Sequence, residues 1–228
     1  MRILITIIFG IINLTLSAKT ERRIVEFNGS IAEKYKIKMV LTIEDSVVLG
    51  YYYYENYKSK ILLDGKIDGT NIILNESPNI EPDFKVGFKG RFDNKRIIGE
   101  WIDSDKEKKL SFNALVVSDG ILKVSERINQ IEGHYDNVNS SDKYMSSIGL
   151  KFITDNVFCF EISNGTESGC VGYIKKLVDL ENLSFGKYSG DSCEEIMITI
   201  ISDTINVKEK NCEWHGMRCP FDGNYKKK

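Results

Sequence analysis

The segment from Cys193 to Cys212 constrains this chain most. Folded at Ser202-Asp203, it sets Cys193 against Cys212, Ile198 against Val207 and Ile200 against Ile205, with Glu195 against Lys210 and Thr199 against Asn206 on the other face. A one-residue slip would scatter these pairs, so the register checks itself and predicts an antiparallel hairpin with a disulfide across it. Such a bridge closes a loop of about twenty residues, worth about 3 kcal/mol in the chain-entropy picture, and calls for an oxidising compartment. Both cysteines are expected on the outer face beside Glu195 and Lys210.

The N-terminus agrees with that compartment. Arg2 precedes the apolar run ILITIIFGIINLTL, which closes on Leu16-Ser17-Ala18, so residues 1–18 read as a signal peptide and Lys19 as the mature N-terminus. The run is short for a membrane span, and no stable span is expected after cleavage; an uncleaved anchor is the alternative. Residues 1–18 hold Arg2 and no acidic residue, leaving 30 of the 31 Lys and Arg against 33 Asp and Glu. That balance argues against nucleic acid as a partner. Five cysteines allow two disulfides and one leftover thiol.

Short β-branched and aromatic runs separated by Asp-Gly, Asn-Gly and Asp-Asn turns fill the chain from Ile24 to Tyr225. Folding at Asp45-Ser46 sets Ile43 against Val48, Leu41 against Gly50, Met39 against Tyr52 and Ile37 against Tyr54. Folding at Asp68-Gly69 sets Gly65 against Ile72 and Leu63 against Leu74; folding at Asp93-Asn94 sets Gly90 against Ile97, Phe88 against Gly99 and Val86 against Trp101. Glycine repeatedly faces a bulky residue, as a strongly curved sheet requires. In the second half, a three-residue turn centred on Asp155 pairs Phe152 with Phe158, Leu150 with Phe160 and Ile148 with Ile162. A turn at Asn164-Gly165 would then pair Cys159 with Cys170.

Gly133-His134-Tyr135 and Gly223-Asn224-Tyr225 match as first and last strands that meet. The expectation is an all-β protein of two tandem small antiparallel meander barrels of about eight strands each, calycin-like, with paired sandwiches as the alternative. The domains run over residues 19–118 and 131–228. Between them lies a linker, 119–130, where Ile121, Val124, Ile128 and Ile131 recur at helical spacing.

Phe158, Phe160-Glu161, Gly169, Gly172, Cys193 with Ile196, Ile198 and Ile200, then Ile205, Val207, Cys212, Gly216 and Phe221-Asp222-Gly223-x-Tyr225 carry a resemblance. The second half resembles uncharacterised β-modules of bacterial secreted proteins, some of them joined to lysozyme-inhibitor-type domains. The first half is similar to envelope proteins through Gly50-Tyr-Tyr-Tyr-Tyr54, Leu63-x-Gly65-x-Ile67-x-Gly69, Ile72-x-Leu74-x-Glu76 and Gly99-x-Trp101. The resemblance implies an exported binding protein that inhibits or senses a hydrolase such as lysozyme. Inhibitors of C-type lysozyme carry a Ser-Gly-x-x-Tyr loop; this chain has Ser189-Gly190 but Cys193 at the tyrosine position.

No cofactor, metal or catalytic residue is expected. Cys159 with Cys170 is the second disulfide candidate, with Cys170 to Cys219 as the alternative that leaves Cys159 reduced. Cys193, Cys212, His215 and Cys219 could ligate zinc only if oxidation did not take the sulfurs, and Cys219 with His215 matches no nucleophile motif. Two surfaces are candidates for a protein or glycan partner. Tyr51 and Tyr53 point outward with Leu49, Val40 and Val47, an apolar face that either binds a partner or meets the other domain. The loop with Trp214, His215 and Arg218 offers residue types favoured at binding hot spots. A carrier of a small apolar ligand among Tyr52, Tyr54, Phe88 and Trp101 is the runner-up. Five Asn-x-Ser/Thr sequons, at Asn28, Asn75, Asn139, Asn164 and Asn182, carry no weight under the bacterial reading.

Overall fold

The computed structural model describes residues 21–76, 84–190 and 192–228; residues 1–18, read above as a signal peptide, lie outside the described residues. The first sheet contains β1 (Arg23–Ile31), β2 (Tyr35–Glu44), β3 (Val47–Tyr54), β4 (Ile61–Asp68), β5 (Asn71–Glu76), β6 (Val86–Phe92), β7 (Arg96–Asp103) and β8 (Lys108–Ile121). Each strand pairs with the next, and β8 returns to β1, closing a barrel. The period-2 pattern puts Phe27, Met39, Tyr52, Leu63, Phe88 and Phe112 inside, all fully buried. Ring centroids lie 5.1 Å apart for Tyr52 and Phe88 and 4.5 Å for Phe88 and Phe112. Side chains, not space, fill this interior.

The helix α1 (Glu126–Ile131) connects the sheets. It is capped by the Ser125 side chain and anchored by Ile128 and Ile131, while Ile121 ends β8. The second sheet holds β9 (Gly133–Asn137), β10 (Tyr144–Thr154), β11 (Val157–Thr166), β12 (Val171–Asp179), β13 (Phe185–Gly190), β14 (Cys193–Ile201), β15 (Thr204–Cys212) and β16 (Gly223–Lys227). Its order is β12-β11-β10-β9-β16-β15-β14-β13, so first and last strands meet as expected, with Tyr225 opposite Asn137. The sheet curls into a barrel whose two end strands, β12 and β13, share no ladder.

The Ser202-Asp203, Asp45-Ser46 and Asp155 hairpins form in the expected registers. The next two hairpins of the first barrel turn one residue later. Asp68 pairs with Asn71 around Gly69-Thr70, with Gly69 at φ +57, so Gly65 faces Leu74. Phe92 pairs with Ile97 because the Asp93 side chain accepts from the Lys95 and Arg96 amides and Asn94 takes φ +66, which sets Phe88 against Trp101. Each correction moves a partner by two residues, so no side chain changes face.

The larger correction is in β11. It runs through Asn164-Gly165 and turns at Thr166–Cys170, setting Cys159 against Leu177. Cys159 therefore does not bond Cys170. The disulfides are Cys193–Cys212 and Cys170–Cys219, and Cys159 is a buried thiol. Cys193 is also not an outer-face residue. The ladder skips Glu194, with Ser192 and Asn211 at positive φ, and this turns Cys193 into the core.

Candidate functional site

The aromatic face of β3 packs against the second barrel. Leu49, Tyr51 and Leu62 form one apolar cluster with Ile153, Val157 and Cys159, and Tyr51 and Leu49 are 6% and 9% exposed. Polar contacts surround it. Thr42 donates to the Ile153 carbonyl at 3.1 Å, and Lys151 meets Glu44 at 2.6 Å. Arg22 binds both oxygens of Glu132 at 2.7 and 2.5 Å, while Glu132 also accepts from the Phe152 amide at 3.0 Å. Burial pulls the Lys175 ammonium down, but its hydrogen bond to Asp64 together with the negative charges of Asp64 and Glu161 outweighs this and leaves its pKa raised. Tyr51 and Leu49 are thus interdomain residues, not a surface offered to a partner. Tyr53 stays half-buried at the rim, stacked on Tyr51, with the Lys58 ammonium 5.4 Å from its ring.

A cleft of about 490 Å³ opens beside this interface, lined among others by Asp64, Glu132, His134, Lys151, Cys159 and Lys175. Four of its charged groups, Asp64, Glu132, Lys151 and Lys175, are committed to interdomain pairs. Burial pushes the Cys159 thiol up to about 12, which leaves it protonated and unreactive at neutral pH.

The Cys212–Cys219 loop is a fixed part of the wall. Asn164 donates to the Cys219 and Pro220 carbonyls at 2.6 and 2.9 Å, and the Cys170–Cys219 bridge ties the loop to β12. His215 packs edge-on to Phe221, with Nδ1 2.8 Å from the Gly216 carbonyl and Nε2 2.6 Å from Glu209 Oε1. Burial raises the Glu209 pKa against the pull of His215. With both ring nitrogens engaged, His215 has none left to act as a base, and Cys219 is already oxidised. Among the described residues no cluster of His, Cys, Asp and Glu could hold a metal ion. Trp214 is half-buried against the core with Lys176 5.0 Å over its ring, whereas Met217 and Arg218 project outward.

This loop also behaves as a short extra strand. Tyr173 donates to the Trp214 carbonyl and Gly216 to the Val171 carbonyl, both at 3.1 Å, and Gly172 bridges to His215. These bonds show that odd residues of β12 turn their backbone polar groups away from β11. Lys175, Leu177 and Asp179 therefore present N–H and C=O toward β13. On the facing strand, the Ile200 amide bonds the Ser184 carbonyl, so even residues of β13 serve β14 and Lys187 points toward β12.

The result is a window in the second barrel. The turn at Leu180–Ser184 bounds one end and the Trp214 segment the other, and between them no ladder joins β12 to β13. A cavity of about 690 Å³ occupies the opening, lined by Lys176–Asp179, Lys187–Gly190 and, from the first barrel, Lys58–Leu62 at the end of the β3–β4 connection and the start of β4. Lys60 reaches Asp179 at 2.6 Å across the two barrels. Ser189-Gly190 forms part of the lip, while Cys193, in the place of the inhibitor tyrosine, lies in the core. None of the sequence-derived candidates lines this cavity; Trp214 bounds its end through the Tyr173 bond, and Tyr53 and Tyr51 reach it only through the lysines over their rings, Lys58 and Lys60. The chain matches no family model, no curated protein and no solved structure.

Proposed function

We propose that this chain is an exported, non-enzymatic binding protein, secreted or periplasmic, that takes an extended segment of another protein into the β12–β13 window. The single observation that carries this reading is a pair of strand edges facing each other across a cavity in a sheet otherwise fully laddered. Exposed strand edges recruit strands, and main-chain pairing supplies affinity without any catalytic group. Two disulfides belong to an oxidising compartment, consistent with residues 1–18 acting as a signal peptide. Inhibition or sensing of a hydrolase such as lysozyme is the concrete version, and it rests on the resemblance alone. The carrier reading is weaker because Tyr52 and Phe88 pack on each other inside the first barrel.

The test is affinity capture from the natural fluid or envelope extract with two variants of one residue. Lys187→Pro removes the N–H facing the window, while the β13–β14 bonds, made by even residues, remain; Lys187→Gln removes the same charge and keeps the N–H. Proteins held by wild type and Lys187→Gln but lost with Lys187→Pro are the expected result. Equal retention by all three would overturn the reading.

A further inference from the structure

The chemistry of the window selects its occupant, an inference that rests on the strand-addition reading above. Among the described residues, four lysines line the opening, Lys58, Lys60, Lys176 and Lys187, with one carboxylate, Asp179. The acids already paired with them hold weakly. Asp179 is 57% exposed beside Lys60, and Lys187 meets Glu195 at 2.8 Å with its own side chain 50% exposed. Exposed pairs of this kind contribute little to stability, so an incoming carboxylate can replace them.

The lysines are also sorted by side. Lys187 is exposed on the outer surface of β13, and Lys58 and Lys60 come from the first barrel, which packs against the outer face of the second. The inner side is different: Val178 is buried, and Tyr188 packs against the core, its ring 5.8 Å from Phe160. A strand in the window would alternate its side chains between these two environments. Near the turn β13 already meets β12, since a Cβ at Gly186 would lie 2.5 Å from Val178 Cγ2 and 2.9 Å from the Asp179 carbonyl oxygen, so the open stretch of β12 is Ile174–Leu177, room for about four paired residues or roughly 13 Å of strand.

We infer that the window binds an extended protein segment in which acidic residues alternate with apolar ones, the acids meeting Lys58, Lys60 and Lys187 and the apolar side chains meeting Tyr188 and Val178. Three labelled seven-residue peptides test this by fluorescence anisotropy: alternating Glu-Val, alternating Lys-Val, and a Glu-Val composition with the acids in one block. The alternating Glu-Val peptide should bind at least about tenfold tighter than either other peptide and weaken with added salt. The Lys58→Glu/Lys187→Glu protein should lose about tenfold of that affinity, and bound peptide should slow hydrogen exchange at the Lys175, Leu177 and Lys187 amides. Equal binding of Glu-Val and Lys-Val peptides overturns the charge assignment, and equal binding of blocked and alternating peptides overturns the two-sided one. If Lys187→Pro still loses captured proteins while no Glu-Val peptide binds, strand addition stands and the acidic occupant falls. If neither assay responds, both fall.

Discussion

The first barrel closes its ladder from β1 to β8 with no cysteine in it, whereas the second has the same number of strands, holds two disulfides and leaves β12 and β13 unjoined. The difference lies partly in backbone approach. A Cβ at Gly50 or Gly99 would collide with the carbonyl oxygen of Val40 or Lys89 on the adjacent strand. At inward-facing Gly172 of the second barrel the obstacles are the side chains of Asn164, His215 and Phe221. Tightly coiled strands bring their ends together by curvature. The second sheet does not close its ladder, and the Cys170–Cys219 bridge holds the Trp214 segment beside its gap. One barrel is a closed ladder and the other leaves a gap between β12 and β13.

The largest effect should come from removing the longer bridge. Cys170→Ala with Cys219→Ala opens a link spanning 49 residues, and the chain-entropy estimate for such a loop is about 4 kcal/mol. Each barrel has one of the chain's two tryptophans, Trp101 in the first and Trp214 in the second. Denaturant titration of single-tryptophan variants should show a fall in the Trp214 midpoint with the Trp101 midpoint unmoved. Equal shifts would break the comparison by showing that the barrels unfold as one.

Gly50→Ala is the matching insult to the first barrel. It should cost about 3 kcal/mol in the Trp101 transition, because the neighbouring backbone has to move, while Gly165→Ala, whose added methyl would sit 3.9 Å from the Cys170 carbonyl oxygen, should cost under about 0.5 kcal/mol. Similar costs for both would remove curvature as the explanation. The contact between barrels comes next. Glu132→Ala leaves Arg22 buried without its carboxylate and frees the Phe152 amide, an expected loss of about 2 kcal/mol. The two tryptophan transitions should separate further in this variant; unchanged spacing would mean that Glu132 does not couple the barrels.

Much of this architecture was legible because face and register are partly independent. The misjudged turns at Asp68 and Asp93 slid partners by two residues, so Tyr52, Phe88 and Trp101 kept the sides the alternation gives them. The error at Asn164-Gly165 had another origin. Asn-Gly is a strong local turn signal, yet Asn164 is held by carbonyls 55 and 56 residues away, and no window of sequence contains that contact. The same distance hides the gap between β12 and β13. The short connection from Leu180 to Ser184 reads as an ordinary hairpin, and what separates β12 from β13 comes from elsewhere: the Trp214 segment on the β12 edge and Lys58–Leu62 from the first barrel. The β3 aromatic face was visible as an apolar surface, but only the fold shows that the second barrel covers it.

The smallest effect concerns one buried carboxylate in each barrel. Glu76 accepts from Tyr52 Oη at 2.7 Å and Trp101 Nε1 at 2.6 Å inside the closed barrel, and burial raises its pKa although both bonds oppose this. Glu209 is raised by burial too, but His215 stands against it as a charge partner. Between its ordinary value and the raised one, folded Glu76 keeps a proton that the unfolded chain has released. Its contribution therefore declines as pH rises through that interval. Glu76→Gln preserves an oxygen acceptor for Tyr52 and Trp101 and removes the titration. The variant should match wild type near pH 4 and be modestly more stable at pH 7 in the Trp101 transition. A wild-type Trp101 transition as stable at pH 7 as at pH 4, with no gain in the variant, would show that the closed barrel bears no cost for an ionised Glu76. The contrast with the His215-paired carboxylate of the open barrel would then disappear.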